Sequence, residues 1–341
     1  MPLHNGTTIM MRVAVIGTGL AGLTLAKYLG DVANVSLFEK SRGVGGRMAT
    51  RRVGDYEFDH GAQFFTARNR IFQAFLAPLI RDGRVAEWQP RVVTLAADEK
   101  PSIRDWFETH YVAVPGMTAL CKYVSRNLNI RLDTHVTDIT RDPQSSFRWQ
   151  VHTGDTCIPE AFDWVISTAP VNQTIELMRP QLNDHLVSTS GLEQVHMSPC
   201  CTLMLGFDVD LSLNFDAARV KHMGIEWVMV NSSKPGRKPK PCLVIQSAND
   251  WARQFQDYED DWISGQMLEQ LQTILGKSLP VPAVQILHRW RYASVEKPLE
   301  PDYLLDTENR LAACGDWCLY NRVEGAYLSA ISLAERLKSL W

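Results

Sequence analysis

The run Val13-Ala14-Val15-Ile16-Gly17-Thr18-Gly19-Leu20-Ala21-Gly22-Leu23 constrains this chain more than any other. Four consecutive apolar residues read as a strand buried on both faces, the pattern of a parallel sheet. Gly17, Gly19 and Gly22 follow at G-x-G-x-x-G spacing, and Leu23 to Leu29 then shows helical periodicity. Gly17 lets the strand turn sharply, Gly19 lets the backbone approach a pyrophosphate, and Gly22 lets the helix lie close to the strand. The helix start, with Leu20 and Ala21, offers unpaired N–H groups and a partial positive charge to phosphates. A second apolar run, Val35 to Phe38, ends at Glu39, 17 residues after Gly22, where a carboxylate can accept from ribose hydroxyls. A purely structural glycine turn is the plainer alternative. The strand before, the helix after and the acid at this distance together favour a dinucleotide site, and the acid favours NAD or FAD over NADP.

Beyond Glu39 and Lys40 comes a glycine-rich basic loop, Ser41 to Thr50, with Gly46, Arg47 and Met48 at its centre. Its glycines allow close backbone approach, and the Arg47 guanidinium offers a fork of donors suited to phosphate. Tyr56 to Phe65 alternates like a strand whose end carries Gly61, Ala62 and Gln63 to a cavity; His60 within it is a base or a hydrogen-bonded structural histidine. Ile71–Ile80 and Met117–Val124 read as helices. The segments Ile130–Leu132, Thr134–Ile139 (with Val136) and Phe147–His152 read as a small antiparallel meander. Trp164 to Pro170 is another buried strand ending in small residues. Asn231 to Pro241, rich in proline and basic residues, reads as a solvated hairpin tip. In Val284 to Ala293 alternation puts Arg289 and Arg291 on one face and Trp290 and Tyr292 on the other. Leu311 to Asp316 is an apolar strand ending at Gly315-Asp316, and Asn321 to Ala330 opens a helix past Gly325 and Ala326.

Composition narrows the class. A chain of 341 residues with 45% hydrophobic and 21% charged residues can bury two cores, and a net charge of −3 leaves no basic footprint for nucleic acid. The apolar runs fall short of the ~20 residues of a membrane span. Residues 1–10 lack a signal-peptide pattern and read as a disordered leader. Seven cysteines without a paired framework read as reduced thiols in a cytoplasmic protein, with no metal site.

The strings V-A-V-I-G-T-G-L-A-G, E-K-S-R-G-V-G-G-R-M-A-T and A-A-C-G-D with V-E-G-A-Y-L-S-A resemble those of the flavin-containing amine oxidase superfamily. Within it, G-G-R-M-A-T followed by D-H-G-A-Q-F-F is most similar to the renalase branch in its bacterial form. The resemblance implies an α/β fold of two domains like p-hydroxybenzoate hydroxylase. A discontinuous Rossmann-type FAD domain would take 11–66, 112–170 and 294–341, and an antiparallel-sheet substrate domain 67–111 and 171–293. It implies that Gly17, Gly19, Leu20, Ala21 and Gly22 cradle the pyrophosphate, with Glu39 and Lys40 at the ribose. Gly46, Arg47 and Met48 would lie along the phosphate and ribityl stretch, and Gln63 and Phe64 near the flavin. Val136 would meet adenine through its backbone, Gly315 and Asp316 the ribityl chain, and Gly325 and Ala326 the pyrimidine end. FAD would be non-covalent, because residues 295–313 contain no cysteine. The implied reaction is oxidation of an isomeric dihydronicotinamide dinucleotide, 2- or 6-dihydro-NAD(P), with O2 as final acceptor and hydrogen peroxide as product; Trp290, Tyr292 and His60 would orient the substrate. Alternatives on the same fold are an amine, polyene or protoporphyrinogen-type oxidase, or a non-enzymatic binding protein; the oligomeric state stays open.

Overall fold

The computed structural model describes residues 10–97, 99–320 and 322–341. The expected leader lies outside the described residues apart from Met10, and so does Asn321. The fold is mixed α/β, as the resemblance implies. A six-stranded sheet runs in the order Leu304–Asp306, Leu311–Ala313, Trp164–Ser167, Met11–Ile16, Ala33–Phe38, Asn129–Arg131. All neighbours are parallel except the first two. The first strand thus sits near the middle, which is why its last four residues are apolar without alternation. Its helix, Leu20–Leu29, buries eight of ten residues, and the terminal helix Val323–Leu340 packs on it, with the Tyr28 and Tyr327 hydroxyls 3.1 Å apart. Chain segments from both ends and the middle therefore share one core.

A seven-stranded sheet runs Val284–Lys297, His196–Gly206, Cys242–Ser247, Ile225–Val230, Ala217–Val220, Val92–Leu95, Ser102–Ile103. Its pairs are antiparallel except Ala217–Val220 with Val92–Leu95. Its outer face is covered by the helices Asn249–Phe255 and Asp260–Leu275.

The helix read over Ile71–Ile80 is present as Arg70–Arg81, started by Asn69, whose side chain accepts from the Ile71 amide at 2.8 Å. Several other sequence expectations need correction. The segment around Ile130 is no part of a meander: Asn129–Arg131 joins the parallel sheet beside Ala33–Phe38. The antiparallel ladder holds only Asp138–Asp142, Ser145–Thr153 and Thr156–Cys157. Val136 lies in the connection between the two, where its buried side chain joins the core under Ala14 and Phe38. The strand read over Tyr56–Phe65 stops at Asp59, because Asp59 turns inward to buried cations and Gly61 lets the chain pass the Arg47 carbonyl. All seven cysteines are free thiols, and among the described residues no helix is long and apolar enough to cross a membrane.

Candidate functional site

The glycine turn has the geometry its spacing requires. Gly17 has φ +103, a conformation that side chains resist. A Cβ on Gly22 would stand 2.2 Å from the Gly17 carbonyl oxygen and 2.7 Å from Thr168 Oγ1, so the helix touches the turn and the neighbouring strand end. A Cβ on Gly19 would meet nothing within 4 Å. Gly19, Leu20 and Ala21 line a cavity of about 780 Å³, so the first-turn amides, which have no intrahelical acceptor, open onto it. Glu39 ends the second strand beside this turn. Its Oε2 accepts from the Thr18 amide (3.0 Å) and hydroxyl (2.8 Å), and its Oε1 from the Ser41 amide (2.9 Å). The carboxylate is therefore fixed in place and keeps lone pairs for a further donor. Lys40 points to solvent.

From the turn the cavity runs along Arg47 and Met48, past Gln63 and Phe64, to Gly315, Asp316 and Ala326. Gly17, Gly22 and Gly325 lie behind this surface as packing glycines: a Cβ on Gly325 would stand 2.4 Å from the Tyr320 carbonyl oxygen, whereas Gly46, also outside the lining, is exposed with φ +51. Arg47 and Asp316, 269 positions apart, form a bidentate pair at 2.5 and 2.8 Å, and Arg47 also donates to the Ala293 carbonyl at 3.1 Å. This clasp joins the loop after the second strand to the end of the last one.

Trp290 lines the cavity, its Nε1 donating to the His60 carbonyl at 2.8 Å. Tyr292 does not. Opposite Ser198 to Cys200 the partner strand advances from Trp290 to Ser294, and this bulge breaks the alternation, so Ala293 and Ser294 reach the cavity instead. His60 also stands away from the cavity surface, stacked on Trp290 (centroids 5.3 Å apart) and edge-on to His288 (4.8 Å). Its Nδ1 has no partner among the described residues, while a hydrogen bond with the Phe58 backbone holds the imidazole, in keeping with a structural histidine. Burial, with His288 and Arg51 nearby, pushes His60 down to about 4, so the ring is neutral at pH 7 and supports Trp290 by stacking. Arg289 turns outward to the Gln256 and Tyr258 carbonyls and to Asp260.

The cavity mouth is built of residues that carried no local signal. Phe64, Trp106 and His110 form a cluster, with ring centroids 5.0 Å apart for Phe64–Trp106 and 3.6 Å for Trp106–His110, and Trp227 joins at 6.0 Å. Burial pushes His110 down to about 4. Arg68, Arg104, Glu226 and Arg322 complete the lining there. Arg68 is held by Glu108 and Glu226 by Arg219, whereas neither Arg104 nor Arg322 is in a salt bridge among the described residues.

The segment Asn231 to Pro241 is the largest departure from the sequence reading. It does join the antiparallel strands Ile225–Val230 and Cys242–Ser247 as a hairpin connection with Lys238 exposed, but it is not solvated throughout: the Lys234 and Arg237 side chains are 0% and 1% exposed and both reach the fully buried Asp59. Lys234 Nζ donates to Gln63 Oε1 (3.0 Å), Asn231 Oδ1 (2.9 Å) and Asp59 Oδ2 (3.3 Å).

A mixed α/β fold with a glycine turn, an acid after the second strand and a cavity that reaches the last helix defines a dinucleotide-binding protein. The flavin containing amine oxidoreductase model matches residues 106–338, and a NAD(P)-binding Rossmann-like model matches 15–79. The chain belongs to the flavin containing amine oxidoreductase family, and its cofactor is FAD. Over 66 residues it is 39% identical to a carotenoid 3,4-desaturase of Haloarcula japonica, and over 69 residues 38% identical to a coproporphyrinogen III oxidase of Mycobacterium bovis. Each match covers 19% of this chain and only 13% and 15% of those relatives. A provisionally named protoporphyrinogen oxidase from Exiguobacterium sp. 255-15 shares the fold with a TM-score of 0.77 at 14% identity, covering 97% of this chain and 99% of that one. Wild-type putrescine oxidase bound to putrescine shares it at 0.70 and 11% identity, with 97% and 99% covered. The cavity fits the cofactor: its glycine surface leaves room at Gly19, its amides suit a pyrophosphate, and it continues unbroken to the terminal helix.

Proposed function

We propose that this protein is a renalase-like oxidase that converts isomeric (2- or 6-) dihydro-NAD(P) to NAD(P)+. The observation that carries the reading is the cavity mouth, where Trp106 and Trp227 offer flat apolar surface and Arg104 and Arg322 form no salt bridge among the described residues. That combination suits a planar heterocycle bearing phosphates and disfavours a cationic amine.

Gly19, Leu20 and Ala21 would receive the FAD pyrophosphate, with Gly17 and Gly22 shaping the turn, and Glu39 the adenosine ribose. Gly46, Arg47 and Met48 would follow the phosphates, Asp316 the ribityl chain, Gly325 and Ala326 the pyrimidine end, and Gln63 and Phe64 the ring. Bound FAD supplies a two-electron acceptor that O2 returns to its oxidised state, with release of hydrogen peroxide. The chain's own contribution is orientation. Trp106 and Trp227 stack the substrate ring, Arg104 and Arg322 hold its phosphates, and Trp290, steadied by His60, closes the far wall. A dihydropyridine already carries its transferable hydride, so no protein base is required, in keeping with the neutral imidazoles of His60 and His110.

A porphyrinogen substrate is the second reading, favoured by the same aromatic and arginine surface, since a tetrapyrrole presents a large ring with carboxylates. Anaerobic titration of the holoprotein decides between them. The flavin absorbance is expected to bleach with 2- or 6-dihydro-NAD and to stay unchanged with putrescine. Bleaching by coproporphyrinogen III alone would transfer the reading to the porphyrinogen, and bleaching by amines alone would end both.

A further inference from the structure

The buried cluster below Gln63 has a charge count that its structural role leaves unexplained. Asp59 contributes one negative charge, while Lys234 and Arg237 contribute two positive ones, all essentially withdrawn from solvent. Asp59 is fully used: Oδ2 takes Lys234 and two Arg237 nitrogens, and Oδ1 takes Thr50 Oγ1 and the Met117 amide. Glu57, the other carboxylate of that strand, is paired with Arg52 at 3.0 Å and does not neutralise the excess. Burying a net charge is costly, and a single neutral pair would have tied the same segments together.

The cluster also reaches the cavity. Lys234 spends its three protons on Asp59, Asn231 and Gln63, and its ammonium lies 5.7 Å from the ring of Trp88, which packs beneath Phe64 (6.2 Å). Gln63 Nε2 donates to the Asp59 carbonyl (2.6 Å) and the Gly61 carbonyl (3.2 Å), so both amide protons are taken and its orientation is fixed. Gln63 and Phe64 are cavity-lining residues.

We infer that Lys234 is a positioning residue of the cofactor wall: it locks Gln63 and supplies an excess positive charge that favours the electron-rich, reduced form of bound FAD over the oxidised form. The inference rests on the reading that FAD occupies this cavity. The charge is preorganised and shielded from water, the condition under which such a group acts most strongly on a neighbouring charge change. Lys234→Met leaves a neutral Asp59–Arg237 pair and removes the excess.

The test compares midpoint potentials of wild-type, Lys234→Met and Lys234→Arg holoproteins, together with their affinities for oxidised FAD. Lys234→Met is expected to shift the ratio of affinities for reduced and oxidised FAD about tenfold toward the oxidised form, about 30 mV for a two-electron couple, while binding of oxidised FAD changes less. Lys234→Arg is expected to hold the wild-type potential. A shift below twofold in Lys234→Met overturns the inference while leaving the cofactor reading standing. Failure of wild-type protein to take up FAD overturns that reading, and this inference with it. Sulfite titration of the wild-type holoprotein does not depend on the variant folding: a positive charge near the ring stabilises the anionic adduct and bleaches the flavin, and absence of bleaching overturns the inference.

Discussion

Asp59→Ala is expected to destabilise the protein by about 3–5 kcal/mol, the cost of leaving buried charges without their partner. Asp59 accepts from Lys234, Arg237, Thr50 and the Met117 amide, and it joins the strand Tyr56–Asp59 to the start of the helix Thr118–Val124 and to residues 231–237. Its removal leaves two cations facing each other in a dry interior, a worse outcome than removal of either cation. Urea unfolding at pH 7 measures the loss; a value near the ~1 kcal/mol of a solvent-exposed pair would show that water reaches the cluster. The pH dependence has a definite sign. Burial pushes Asp59 up, but Lys234 and Arg237 outweigh it and hold the carboxyl below its ordinary value of 3.8. Its contribution is therefore complete above that value and lost as pH falls through the lower folded one. Lys234 acts in the other direction: burial, partly offset by Asp59 and reinforced by Arg237, lowers it from 10.5 to about 8. Between those values the unfolded chain binds more protons, so this group makes stability rise with pH.

The same cluster marks where sequence reasoning stops. The glycine turn was legible because its causes are local: strand, turn and helix lie within about twenty residues, Gly17 and Gly22 answer a backbone conformation and contacts in that stretch or beside it, and Gly19 faces the cavity. The family strings extended this legibility to Arg47 and Asp316, which meet across 269 positions. Nothing local distinguishes Lys234 and Arg237 from solvated residues of a proline-rich turn, because their burial depends on Asp59, more than 170 positions earlier. Tyr292 was misplaced for a different reason. Alternation holds only while both strands advance together, and the bulge opposite Ser198–Cys200 is a property of the pairing. Trp106 lies in the connection before His110–Ala113 and Trp227 in the strand Ile225–Val230, and they become one surface only when the seven-stranded sheet is laid over the cavity. The geometry of the glycine turn was thus readable and the opposite cavity wall was not, since the turn is one contiguous segment and that wall is assembled from distant ones.

Gly22→Ala and Gly19→Ala are expected to fail in opposite ways. The Cβ of Gly22→Ala would lie 2.2 Å from the Gly17 carbonyl oxygen and 2.7 Å from Thr168 Oγ1. The first of these is backbone and cannot swing aside, so the helix Leu20–Leu29, on which the Val323–Leu340 helix packs, must retreat from the central strand. Overpacking of this kind costs about 1–3 kcal/mol, and here it also displaces the first-turn amides that open onto the cavity. Gly22→Ala should lose stability even as apoprotein, and its FAD affinity should fall by at least tenfold. The Cβ of Gly19→Ala meets no protein atom within 4 Å, and Gly19 has an extended backbone with φ −66 that alanine adopts freely. That apoprotein should unfold at the wild-type urea concentration, within the ~0.5 kcal/mol expected of a substitution that meets nothing. Its methyl group points instead into the space assigned to the pyrophosphate, so FAD affinity should drop with no change in fold. Urea titration of both apoproteins, with FAD binding followed by quenching of flavin fluorescence, separates the two effects. Full FAD affinity in Gly19→Ala would place the phosphates elsewhere, because that methyl group can obstruct nothing but a ligand.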